Sequence, residues 1–150
     1  VTKKRGVLVI VTLLALALLV APVASADEFT GSGTMSARGV GLVVLRGSGR
    51  VEIDGHGAGL VWVKGAETLD ASGEGHRWEI PERGSTVFVG WSGTVLASGH
   101  GMTVWVAGGL VEFTATGTGT VYLRGHGTYV LNHRAAEWSS TGSTLGLEVD

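Results

Sequence analysis

The sequence contains no cysteine, only two prolines and a single asparagine. Without cysteine there is no disulfide, no thiolate metal site and no thiol to carry a lipid, so burial and hydrogen bonds alone must hold the fold together. Asn132 is followed by His133 and Arg134, which excludes an N-glycosylation sequon. Helical periodicity is also missing after residue 26. Basic side chains are scarce as well, 11 against 13 acids, and three of them, Lys3, Lys4 and Arg5, stand together at the start.

Those three precede an apolar run from Val7 to Val20 and a small-residue site at Ala24, Ser25 and Ala26. A charged stretch, a short apolar run and an A-x-A site read as a secretory signal peptide over residues 1–26, cleaved before Asp27. Val1 fits an alternative prokaryotic start codon. The expected location is therefore secreted, or at the cell surface or in the periplasm of a prokaryote, with a membrane encountered only during export. Removing this segment leaves 8 basic side chains against 13 acids, a net charge of −5, which argues against a nucleic-acid partner.

What the chain has in abundance is glycine, 26 residues in all. Gly33, Gly41, Gly49, Gly57, Gly65 and Gly73 stand eight apart, and so do Gly93, Gly101, Gly109, Gly117 and Gly125. A fixed period marks a repeat architecture. Between the glycines the pattern alternates: Val51 and Ile53 are apolar in GSGRVEID, and Val121 and Leu123 take the same places in GTGTVYLR. The further pairs are Val43/Leu45, Val61/Val63, Leu69/Ala71, Trp78/Ile80, Val87/Val89, Val95/Ala97, Val104/Val106, Val111/Phe113 and Tyr129/Leu131. A period of two predicts short strands with one buried face, joined at G-x-G corners where glycine supplies positive φ.

The fold class is thus all-β, a Gly-cornered repeat over residues 27–134. The tail, 135–150, alternates Leu145, Leu147 and Val149 with polar residues, and predicts a capping or edge strand with Trp138 beneath its connection. Three eight-residue units per coil would give a parallel β-solenoid, the arrangement we expect; the alternative is an antiparallel β-sandwich or barrel with G-x-G as hairpin loops.

The run of G-x-G corners between V-x-L and V-x-I strands, as in GVGLVVLRGSGRVEIDGHG and GTGTVYLRGHGTYVL, resembles the Gly-rich repeats of secreted bacterial proteins of unknown function and, more distantly, the head GIN domain family of adhesins. That resemblance covers most of residues 31–131. It implies a right-handed β-helix at the cell surface and assigns no catalytic residues.

Few residues suggest chemistry. His56, His100 and His126 each centre a G-H-G corner and would form a ladder if corners stacked, which makes them weak metal candidates; no metal or other cofactor is expected. The residue between two inward positions is aromatic in four strands, at Trp62, Phe88, Trp105 and Tyr122. Trp62, Trp105 and Tyr122, with Trp91, are the candidate ligand-binding residues, since rings on a rigid sheet stack on sugars or pack against protein. A second core layer over them is the alternative. Glu52 and Asp54 share a strand face, as on any exposed strand, and no nucleophile and base motif accompanies them. The G-x-G motifs precede strands rather than helices, which excludes a dinucleotide fingerprint. The sequence therefore predicts a non-enzymatic, exported structural or adhesive module. Its alternatives are a glycan-binding domain and, further off, a polysaccharide-active enzyme; its expected partners are surface polysaccharide, other envelope proteins, or its own strand edges.

Overall fold

The computed structural model describes residues 32–57 and 59–148. The expected signal peptide and its cleavage site, and Val149 of the tail, lie outside the described residues. The chain forms β1 (Gly33–His56), β2 (Leu60–Lys64), β3 (Thr68–Ile80), a 3₁₀ turn at Pro81–Arg83, β4 (Ser85–Leu131), β5 (Arg134–Glu137) and β6 (Ser143–Gly146). Among the described residues every sheet pairing has β4 as one partner.

The logic is that of one long hairpin. β1, β2 and β3 run out to a tip at Pro81–Gly84, where Gly84 takes the left-handed conformation at φ 58°, and β4 runs back. Across this ribbon Leu69 faces Ala97, Val61 faces Val106, Ile53 faces Phe113, Val43 faces Leu123 and Met35 faces Leu131. The inner outbound segments have a second neighbour 16 to 18 residues earlier in β4: Val61 also faces Phe88, Ile53 faces Val95, Val43 faces Val106 and Met35 faces Ala115. Partner numbers descend throughout, and they do so for β2 too, with Leu60 opposite Val89 and Ala107 and Lys64 opposite Ser85 and Thr103. The sheet is antiparallel and open.

Its segments sort into two rows. The first row runs 76–80, 85–89, 60–64, 103–107, 42–46, 120–124 and 143–146. The second runs 68–74, 92–98, 49–56, 111–117, 33–39, 127–131 and 134–137. Val43, Leu45, Val61, Val63, Val104, Val106, Val121 and Leu123 from the first row and Met35, Val51, Ile53, Val95, Val111 and Phe113 from the second join one buried cluster, so the rows face each other across a shared core.

Glycine is what lets the ribbon pass from one row to the other. At one bend Gly47-Ser48-Gly49 lies against Gly117-Thr118-Gly119, and a Cβ on Gly119, at φ +130°, would sit 2.1 Å from the Arg46 carbonyl oxygen and 2.8 Å from the Gly47 Cα. Two backbones cross the bend in contact, and side chains have no room there. The glycines therefore come in facing pairs. Three pairs from the two eight-residue series face each other, Gly41 with Gly125, Gly49 with Gly117 and Gly73 with Gly93, and each is centred on position 83. The mirror point is the hairpin tip.

This arrangement corrects the expected parallel β-solenoid and the right-handed β-helix implied by the resemblance, because no strand pair is parallel by register. The period fixed the corners but not the direction of the chain between them. Nor does the sheet close as a barrel, since β3 bounds it on one side and β5 and β6 on the other. A second correction concerns phase near the tip. Phe88, not Val87 and Val89, points into the core, and Trp78 is 53% exposed. A register shift between Glu74 and His76, followed by the turn, puts Arg77 and Glu79 on the inward side of the edge. The Arg77 guanidinium lies 5.4 Å from the Phe88 ring centre and 3.0 Å from Glu79. Inward charges on an edge strand discourage pairing with another chain.

At the opposite side the tail is fastened. β6 pairs with residues 120–123, the Leu147 N–H donates to the Gly119 carbonyl at 2.9 Å, and buried Trp138 donates its Nε1–H to the Thr128 carbonyl at 3.1 Å. Asn132 and His133, both at positive φ, make the tight turn into β5. The Asn132 side chain accepts the Thr34 N–H at 2.8 Å and donates to the Leu147 carbonyl at 3.3 Å, tying both ends of the described chain together.

Candidate binding face

Each strand turns one side to the core and the other outward. On the first row the central outward line across the strands reads Trp78, Val87, Trp62, Trp105, Val44, Tyr122 and Thr144. With strands about 4.8 Å apart, it runs roughly 24 Å from Trp78 to Tyr122. Trp62 and Trp105 are half-buried; their ring centres are 5.7 Å apart and their planes tilted by 57°. Val44 between Trp105 and Tyr122 keeps only 8% of its surface, so the line is close-packed side by side. His76 stacks on Trp78 at 5.6 Å. The expected alternative, strands laid over these rings as a second core layer, has no segment to supply it among the described residues: those between 33 and 146 all belong to the two rows or to connections at their margins.

Flanking lines complete the face. One carries His76, Val89, Leu60, Ala107, Leu42 and Arg124; the other carries Ile80, Lys64, Thr103, Arg46 and Thr120. Asp and Glu do not occur at any outward position of this row. Arg46, Lys64 and Arg124 are exposed, and none makes an ion pair with a described residue. The second row's outward positions are more polar: Arg38 and Arg50 stand with Glu52, Asp54, Asp70, Glu112 and Glu137 among Thr and Ser, with Leu96 and Val130 the apolar exceptions on its strands.

The structure brings Trp62, Trp105 and Tyr122 onto one face and places Trp91 elsewhere. Trp91 sits at the bend after residue 90, edge-on to Phe88 at 5.1 Å, with its Nε1–H buried and without a hydrogen-bond partner among the described residues. Trp78, Val44 and the three cations were not among the residues singled out from sequence. Trp78 reads as an inward residue by simple alternation, and only the phase change near the tip turns it out.

The three G-H-G histidines do not form a ladder. His56 Nε2 lies 3.1 Å from Glu112 Oε2, and His126 faces Val40 across the ribbon. His100 is on the other margin, where the Gly101 N–H donates to Ser48 Oγ at 3.1 Å and His100 Nδ1 stands 2.8 Å from Glu67 Oε1. The hydrogen bond from His100, only partly opposed by desolvation, holds the Glu67 carboxyl below its ordinary range. Among the described residues no three His, Asp or Glu side chains converge on a metal-sized site. Glu52 is exposed on the second row, and Asp54 faces Glu112 across the strands.

No family model, curated protein or solved structure matches this chain.

Proposed function

We propose that this protein is an exported, non-enzymatic structural or adhesive module of the prokaryotic envelope or extracellular space, and that it makes contact through the outward face of the first row. One observation carries the reading: three tryptophans, a tyrosine and two valines form a continuous line across six strands on the side away from the core. Large apolar patches on a folded domain mark contact surfaces. A sheet pinned by facing glycines is a rigid support, so the rings need little ordering on contact.

Glycan binding is the second reading, favoured by the row of rings on one sheet face. Tryptophan and tyrosine rings presented on a rigid plane stack on sugar faces, and the strand spacing is close to the length of one sugar ring. Adsorption of the purified chain to insoluble envelope polysaccharide tests both. Adsorption should fall sharply in Trp62→Ala and Trp105→Ala and stay unchanged in Glu52→Gln. Release of reducing sugar during incubation would overturn the non-enzymatic reading.

A further inference from the structure

Resting on the aromatic face as the contact surface, we propose that its ligand is a linear acidic polysaccharide, one bearing carboxylate or sulfate groups along its length. Charge on this molecule is segregated. The chain as a whole carries more acid than base, yet the aromatic face has Arg46 and Lys64 on one flank, Arg124 on the other, and no carboxylate. On the second row cations and carboxylates are cross-strand neighbours, Arg38 lying opposite Glu112, whereas the three cations of the aromatic face have no carboxylate opposite them.

The placement suits a polymer. Lys64 lies on the same strand as Trp62, Arg46 on that of Val44, and Arg124 on that of Tyr122. A sugar chain laid along the ring line therefore passes a cation on one side or the other at three strands, where charge-assisted hydrogen bonds reach an acidic substituent. Arginine also reads carboxylate or sulfate in bidentate fashion. The same composition would suit an anionic membrane, but membrane attachment needs apolar side chains that insert. Here Val44 is nearly covered and Trp62 and Trp105 are half-buried, so apart from Trp78 the line is level rather than protruding.

Affinity electrophoresis of the full chain separates the cases, using polygalacturonate, chondroitin sulfate, neutral hydroxyethyl cellulose and, in a parallel flotation assay, phosphatidylcholine–phosphatidylglycerol vesicles. Retardation by either acidic polymer, weak or absent with the neutral one and relieved by salt, is expected. Arg46→Glu with Lys64→Glu should weaken it about tenfold or more without moving the melting temperature. Trp62→Ala should weaken it too while leaving its salt dependence in place. Equal retardation by the neutral polymer, or indifference to the charge reversal, overturns the acidic ligand and leaves the aromatic face standing. Retardation untouched by Trp62→Ala and Trp105→Ala overturns the face itself. Flotation with vesicles without retardation by either acidic polymer, or no response to any probe, overturns the proposal.

Discussion

The two outward faces of this sheet share one core, one set of corners and one strand period, and still differ in almost every outward side chain. On the second row the outward positions are mostly Thr, Ser and charges of both signs, with Leu96 and Val130 isolated among them. On the first they are Trp, Val, Tyr and unopposed cations. The shared core is built from the inward positions, while the outward line of the first row adds a smaller packing contribution and need not be aromatic to fill that core. A difference that the architecture does not require is where function is to be sought.

The largest expected effect is one that erases the comparison. The corners belong to both faces, and Gly119→Val forces a side chain against the Arg46 carbonyl at positive φ; it should cost about 3 kcal/mol, measured by urea unfolding. Gly109→Ala, where an added Cβ meets nothing within 4 Å, should change stability by less than about 0.5 kcal/mol. Sequence alone would rank Gly142 with the tolerant sites, outside the repeat. In the structure it has φ +100° and lies against the Tyr122 hydroxyl, so Gly142→Val belongs with the damaging changes.

A second pair sets equivalent outward positions against each other. Val44→Asp places a carboxylate in the packed line and should cost about 2 kcal/mol. Thr116→Asp, exposed on the second row opposite Arg50, should stay within about 0.5 kcal/mol. Equal shifts in the midpoint of unfolding would remove the distinction between the faces. Smaller again is the ring pair: Trp62→Ala and Trp105→Ala should each cost about 1 to 2 kcal/mol, and the double variant less than their sum, because the rings pack on each other.

The smallest effect lies at the margin. Glu67 is held below the ordinary carboxylate range by its hydrogen bond from His100. A depressed acid stabilises the fold at pH above its unfolded range, and that contribution disappears as acid protonates the folded carboxylate. Thermal melts between about pH 3 and 6 should show a shallower acid-side fall in Glu67→Gln than in the natural chain.

Much of this was legible. Alternation named the inward residues correctly wherever a strand lies between two intact G-x-G corners, from Val43 and Leu45 to Val121 and Leu123. It failed at Trp78, Ile80, Val87 and Val89, since a register shift at Glu74–His76 and a turn at Pro81–Gly84 change the phase without changing the composition. VFV at residues 87–89 and VWV at 61–63 read alike, yet one aromatic points in and the other out. The chain direction was not legible in the period: evenly spaced glycines fit the two arms of a hairpin and the turns of a parallel coil alike, and only the observed register decides between them. The cations of the aromatic face were invisible for a different reason. They are far apart in the chain, and only the cross-strand register gathers them.

Because all sheet pairing among the described residues involves β4, the outbound arm, β1 to β3, has no partner within itself. The first half, on leaving the ribosome or a translocation pore, has no strand to pair with until residues beyond Gly84 arrive. Short-range closure is available at the tip and at the Asn132–His133 turn, and each bend further out from the tip requires the one before it, so the ribbon should fold as a zipper from Pro81–Gly84 towards the ends, slowly for so small a chain. Up to that moment the outbound arm presents unpaired strand edges, open to pairing with other chains.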